Sequence, residues 1–314
     1  MVDPSSRGGD AAPAPAPPAS SATIAVPRPS RAGRNLPVAI GMGLGMGAAL
    51  LLALFVRKEL FVLLAAVAVA ASVWEMARAL GARRLHVPVV PLVVGSVATL
   101  AATYVSGLEA LLVGVALTVV AVLAWRLVEA PAVVASEEGE RLPGAESAAL
   151  RDVTAGVLVV AWLPLLAGFA VLLLRPEDGA QRVLVFVLVA VCSDIGGYAA
   201  GVLFGRHPMA PTISPKKSWE GLAGSAVAGV VAATLSVVLL LDGAWWAGAL
   251  IGVAAVATAT MGDLSESVLK RDLGIKDMGS LLPGHGGVLD RLDSLLPTAP
   301  VLWLLLSALV PPVA

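Results

Sequence analysis

The segment Ser267 to Asp293, SVLKRDLGIKDMGSLLPGHGGVLDRLD, gathers four Asp, two Lys, two Arg and a His within a chain that is 58% hydrophobic and only 14% charged. Hard oxygen donors, with no cysteine and a single local histidine, suit Mg²⁺ or Mn²⁺ rather than zinc. At about 3.6 residues per turn, Asp263, Ser267 and Lys270 share one helical face, with Glu266 close by. Asp290 and Asp293 lie one turn apart, with Arg291 between them. Carboxylates on two different helices can bridge metal against a phosphate, while lysines and arginines neutralise the other phosphates. Pro283-Gly284-His285-Gly286-Gly287 reads as a tight turn that lets backbone approach a ligand closely. The bland alternative is a solvated loop laced with i, i+3 and i, i+4 ion pairs.

Two upstream segments add to this chemistry. Ile213-Ser214-Pro215-Lys216-Lys217-Ser218-Trp219-Glu220-Gly221 sets two ammonium groups and a hydroxyl before a helix, which makes a phosphate cradle. Its competing reading is a positive-inside anchor with Trp219 at the headgroup level. Cys192-Ser193-Asp194-Ile195-Gly196-Gly197-Tyr198, followed by Gly205 and Arg206, places a carboxylate inside an apolar run. Such a group costs several kcal/mol unless paired or hydrated, so Asp194 reads as ligand-facing, with a helix-packing arginine partner as the alternative. Cys192 is the single cysteine, which excludes a disulfide framework and leaves it an inert packing residue.

The elements that must position these residues are membrane helices. The 314-residue chain has a mean hydropathy of +0.90, too apolar for one soluble globule, so lipid is the solvent for most of it. Residues 1–35, rich in Pro, Ala and Ser with Arg28, Arg31 and Arg34 near the end, read as a disordered cytoplasmic tail. Its length and proline content argue against a cleavable leader, leaving the first apolar helix as an anchor. Nine segments of spanning length follow, at 36–56, 60–80, 87–106, 108–127, 154–174, 182–203, 222–241, 245–264 and 295–312. The expected fold is an all-α, polytopic membrane protein, with N-terminal helices over 36–150 and a catalytic transmembrane domain over 151–314. Gly41, Gly43, Gly45 and Gly47 form small-xxx-small pairs and predict close helix packing there. Lysine and arginine placement puts the tail, Arg83-Arg84, Lys216-Lys217 and Lys270–Arg291 on the cytosolic side, with Arg57 and Lys58 the exception.

The segment from Ser267 onward also resembles the signature of the phosphatidate cytidylyltransferases, or CDP-diacylglycerol synthases. Ser267, Lys270, Arg271, Lys276, Asp277, Gly279, Leu282, Pro283, His285, Gly286, Gly287, Asp290, Arg291 and Asp293 fill its fixed positions without a gap. Ser214–Gly221 resembles a second family motif, with Ser218 keeping the hydroxyl where Thr is frequent, and Asp194–Tyr198 with Gly205-Arg206 resembles a third. The likeness runs over roughly 190–295, is topological over the first spans and is absent from the tail. It implies transfer of the cytidylyl group of CTP to phosphatidic acid, releasing pyrophosphate and leaving CDP-diacylglycerol for phospholipid biosynthesis. It further implies Asp263 and Asp290 as ligands of Mg²⁺, with room for a second cation, and a homodimer.

On this reading Lys270, Arg271, Lys276, Asp277, His285, Arg291 and Asp293 carry the chemistry. Asp194, Tyr198, Arg206, Ser214, Lys216, Lys217, Ser218, Glu220, Ser267, Gly286 and Gly287 bind substrate. The expected partners are CTP, phosphatidic acid and the bilayer, with no nucleic acid, and the site faces the cytoplasm from the plasma membrane. Positioning and charge neutralisation supply the acceleration, because a lipid phosphate is already nucleophilic at neutral pH. Two other classes stay open. A secondary transporter would use Asp194 and Asp263 as ion carriers, although the N-terminal half holds no repeat of the charged region. A CTP-dependent lipid kinase would transfer the γ-phosphate.

Overall fold

The computed structural model describes residues 36–134, 145–281 and 286–311. The expected tail, with Arg28, Arg31 and Arg34, lies outside the described residues, as does His285 with Leu282, Pro283 and Gly284. The elements in chain order are α1 (Leu36–Val56), α2 (Lys58–Gly81), α3 (Val89–Ser106), α4 (Leu108–Val134), α5 (Ala145–Trp162), α6 (Pro164–Leu174) and α7 (Gly179–Phe204). A short hairpin of β1 (Pro208–Ala210) and β2 (Ser214–Ser218) leads to α8 (Trp219–Leu241), α9 (Trp245–Leu273), α10 (Leu289–Leu292) and α11 (Leu295–Leu309).

Among the described residues, eight stretches are long and apolar enough to cross a membrane. They are α2, α3, α4 as far as Glu129, α5 with α6 from Leu150, α7, α8, α9, and α10 with α11. Each matches one of the expected segments, and α1, apolar over Gly45–Val56, takes the place of the first. The chain is a multi-pass, all-helical membrane protein. Helices satisfy their own backbone groups, which is what hydrocarbon requires of a spanning segment. Pro164 lacks the N–H that would continue the ladder, so α5 stops at Trp162 and α6 restarts beyond Leu163. The Leu163 N–H to Val159 O bond (2.9 Å) keeps the two pieces in one span.

Two apolar cores hold the bundle. One joins Leu173, Phe186, Val237, Ile251 and Leu302 from α6, α7, α8, α9 and α11. The other joins Met76, Leu92, Val122 and Leu163 from the first half of the chain to Leu273, Met278 and Leu289. This second core therefore reaches into the charged segment and fixes it from below. Large apolar side chains such as Leu52, Val105 and Leu239 remain exposed, the surface expected of a protein solvated by lipid.

Close helix packing falls elsewhere than predicted. A methyl group added at Gly41, Gly43, Gly45 or Gly47 would meet nothing within 4 Å among the described residues. The tight seam is between α7 and α8, where Gly196 lies against Gly224 O and Ala228, and Gly197 against Ser225 and Gly221 O. Ser225 Oγ donates to Ser193 O across it (2.9 Å). A small-xxx-small pattern permits approach without naming a partner, and here the facing helix supplies matching small residues at α7 and α8, and again where Gly248 and Gly252 of α9 meet Ala233 and Gly229 of α8.

Ser214–Ser218, read from sequence as loop, is instead a strand paired antiparallel with β1, with Pro208 opposite Ser218 and Ala210 opposite Ser214. The Trp219 N–H to His207 O bond (3.0 Å) closes its open end and the Ile213 N–H to Ala210 O bond (3.2 Å) its turn.

Candidate active site at the ends of α7, α8 and α9

The eighth expected segment stopped at residue 264, but α9 continues unbroken to Leu273. That extension puts Asp263, Glu266, Ser267 and Lys270 on successive turns of a rigid rod. The rod ends at Gly274, whose φ of 70° is the left-handed terminus glycine adopts without strain. Arg83, from the link after α2, donates through Nε to Leu273 O (3.0 Å) and caps one orphan carbonyl of that end.

Lys270 is the hub. Its Nζ stands 2.6 Å from Asp290 Oδ1 and 3.1 Å from Glu266 Oε1, and all three side chains are buried or nearly so, at 14%, 7% and 1% exposed. Asp290 also accepts the Met278 N–H at 3.1 Å on both oxygens and the Gly287 N–H at 2.8 Å on Oδ2. One carboxylate thus staples both sides of the 278–287 connection. Gly286, at φ 84°, makes this possible, since a methyl group there would stand 3.1 Å from Asp290 Oδ2. Glu266 meets Lys270 at ion-pair distance, but neither of its oxygens makes a hydrogen bond among the described residues. Asp293 accepts the Ser294 N–H (2.7 Å) and feels the charges of Asp263, Glu266 and Lys270.

The hairpin delivers the second lysine. Lys217 Nζ lies 2.5 Å from Asp263 Oδ2, and Ser267 Oγ reaches Asp263 Oδ1 at 3.4 Å. Ser218 caps α8, its Oγ accepting the Gly221 N–H at 3.1 Å. Glu220 holds the hairpin shut: Oε2 accepts the Arg206 and His207 N–H groups (both 3.2 Å), and Oε1 is 2.5 Å from His207 Nδ1. Arg271 Nε donates to Ile213 O (3.1 Å), tying the hairpin turn to the end of α9. Asp194, on α7, lies within the field of Asp263, Lys217 and Arg291.

Sequence-predicted residues therefore separate into groups. Asp194, Lys217, Asp263, Ser267, Lys270, Asp290, Arg291 and Asp293 come together around the end of α9. Ser218, Glu220 and the Arg206 backbone build the hairpin that presents Lys217, and Ser214 is half-buried within its second strand. Lys216, Arg271, Lys276 and Asp277 are exposed at the rim, with Asp277 beside the Gly286 turn. Tyr198 points outward, 76% exposed, whereas Gly197 and Gly201 of the same helix face α8. Gly287 presses its backbone onto Glu75 of α2. Sequence reasoning passed over Glu75, Glu266 and His207 as functional residues. Glu75 carried the clearest signal, an acid within an apolar run.

Mg²⁺ is usually held by one or two carboxylates completed by phosphates and water, and the residues fit that pattern. No group of three or more His, Cys, Asp or Glu converges as a metal cage among the described residues. Asp263, its side chain 39% exposed, would take a cation in competition with Lys217. Asp290 has committed its lone pairs to Lys270 and two amides, so it joins a metal by giving up Lys270.

Paired lysines and carboxylates, with backbone amides around Asp290, thus gather at the ends of the helices of a polytopic membrane protein. The chain belongs to the cytidylyltransferase family, whose sequence model matches residues 38–309. It is 47% identical over 252 residues to the phosphatidate cytidylyltransferase of Mycobacterium leprae, covering 80% of this chain and 81% of that one. The phosphatidate cytidylyltransferase of Mycobacterium bovis is 45% identical over 253 residues, with the same two shares of chain covered. That of Haemophilus influenzae is 39% identical over 130 residues, covering 40% of this chain and 45% of the relative.

Proposed function

We propose that this protein transfers the cytidylyl group of CTP to phosphatidic acid, yielding CDP-diacylglycerol and pyrophosphate for phospholipid biosynthesis. The observation that carries the reading is the pair of lysine–carboxylate contacts, Lys217 with Asp263 and Lys270 with Asp290, built on one helix end of a chain that belongs to this family. A phosphate oxygen of the lipid attacks the α-phosphorus of CTP. The new P–O bond forms as the bond to the β-phosphate oxygen breaks, and pyrophosphate leaves with that electron pair.

No general base is needed for an ionised phosphate, so the residues act by holding and neutralising. Lys216, Lys217, Lys270 and Arg291 balance the triphosphate and the lipid headgroup as charge moves onto the leaving oxygen. Asp194, Ser267 and Asp293 orient those cations, and the α9 rod keeps Lys270 at fixed spacing from Asp263, the partner of Lys217. Asp263 and Asp290 would hold Mg²⁺, with a second cation beside it, and the metal would supply charge neutralisation on the phosphates. The site faces the cytoplasm, where CTP is, from the plasma membrane, and the protein works as a homodimer.

The test uses CTP labelled on the α- or the γ-phosphate with purified protein in vesicles containing phosphatidic acid. Label from the α position in the lipid is the expected result. Label from γ alone would mean a kinase, and no transfer under any condition would mean transport; either overturns the proposal.

A further inference from the structure

Glu75 lies in the last two turns of the apolar helix α2, 1% exposed, far from the charged segment in sequence. A buried carboxylate in a membrane span costs several kcal/mol unless something compensates. Here the compensation is backbone. Glu75 Oε2 accepts the Leu289 N–H (3.0 Å), the amide that opens α10 immediately before Asp290. Oε1 makes no hydrogen bond among the described residues. Gly279 and Gly287 pack directly on the carboxylate: a methyl group at Gly287 would come within 2.6 Å of Oε2, and one at Gly279 would overlap Oε1. The Glu75 side chain fills the space that two glycines leave.

The same connection is gripped from its other side. Asp290 takes the Met278 and Gly287 amides, while Glu75 takes Leu289 and wedges between Gly279 and Gly287. Arg83, eight positions later in the chain, holds the end of α9 through Leu273 O. The end of α2 and its link thus brace the chain just after Lys270 and just before Asp290.

We infer that Glu75 is a positioning residue for the transfer reaction, setting Gly279 against Gly287 and Leu289 and through them the placement of Asp290 against Lys270. The inference rests on the proposed function and deepens it. A displacement of about 1 Å in such a group can cost on the order of 100-fold in rate. Glu75→Ala should therefore lower kcat by ten- to a hundred-fold while the KM values for CTP and lipid change less than about threefold. Glu75→Gln, which keeps an acceptor for Leu289, should recover most of that loss, and Glu75→Asp, one methylene short of reach, should not.

A double-variant cycle keeps the idea testable if Glu75→Ala folds poorly. Gly279→Ala should impair turnover by colliding with the carboxylate, and adding Glu75→Ala should relieve that collision. Sub-additive losses support the inference. Strictly additive losses, or a Glu75→Ala protein with unchanged kcat per folded molecule, overturn it. Transfer of α-label by the native protein is checked in the same assay, so failure there counts against the reaction and not against the brace.

Discussion

Replacing Lys270 with methionine gives a sharp test of the site, because it removes one cation from between two buried acids. At an effective dielectric near 20, the attraction toward Asp290 at 2.6 Å is ~6 kcal/mol. Desolvation of the ammonium takes back a large share, and breaking a buried pair from one side costs a net of about 3–5 kcal/mol. A loss of that size lowers the melting temperature in detergent by roughly 5–10 °C. Cytidylyl transfer from α-labelled CTP should fall below detection in the same preparation. Adding Glu266→Gln removes one of the stranded acids, so Lys270→Met with Glu266→Gln should regain a substantial part of the stability and none of the activity. If Lys270→Met melts like the native protein, or if Glu266→Gln deepens the loss, then Lys270 does not hold these two acids and the geometry has been misread.

Three further outcomes follow from the same geometry. Lys217→Ala breaks a pair whose members are 21% and 39% exposed, so stability should change by less than about 1 kcal/mol while kcat/KM for CTP falls tenfold or more; an unchanged kcat/KM removes Lys217 from the site. Gly224→Leu forces a branched side chain onto Gly196 O and Ala200 across the α7–α8 seam and should cost about 1–3 kcal/mol or more in a detergent melt, whereas Gly45→Leu, facing open space, should be neutral. Chelation should abolish transfer and Mg²⁺ restore it, and Asp263→Asn should raise the Mg²⁺ concentration for half-activity at least tenfold; a superimposable titration would contradict the role given to that carboxylate.

The long apolar runs were legible in the sequence because hydrophobic length alone defines a span, and each expected segment has its helix. The charged segment was equally plain, since Lys270, Asp290 and their neighbours crowd a chain with few charges. What the sequence concealed depends on partners distant along the chain. The glycines of α1 carry the same small-residue spacing as those of α7, and only the facing helix tells a lipid-side groove from a packed seam. Hydropathy ended α9 where charges begin, yet those charges are paired with Asp290 and Lys217 and let the helix run on to Leu273. Ser214–Ser218 looked like loop because a five-residue strand has too little pattern to register. Glu75 takes its partner, the amide of Leu289, from far along the chain, while Arg78, one turn on, lies over the Trp74 ring.

Lys217 and Lys270 each face an acid before any nucleotide arrives. At these two lysines the capture of a triphosphate therefore becomes an exchange of counterions at contact distance. Discrimination then belongs to residence time: an anion stays only as long as it outcompetes the aspartates it displaces.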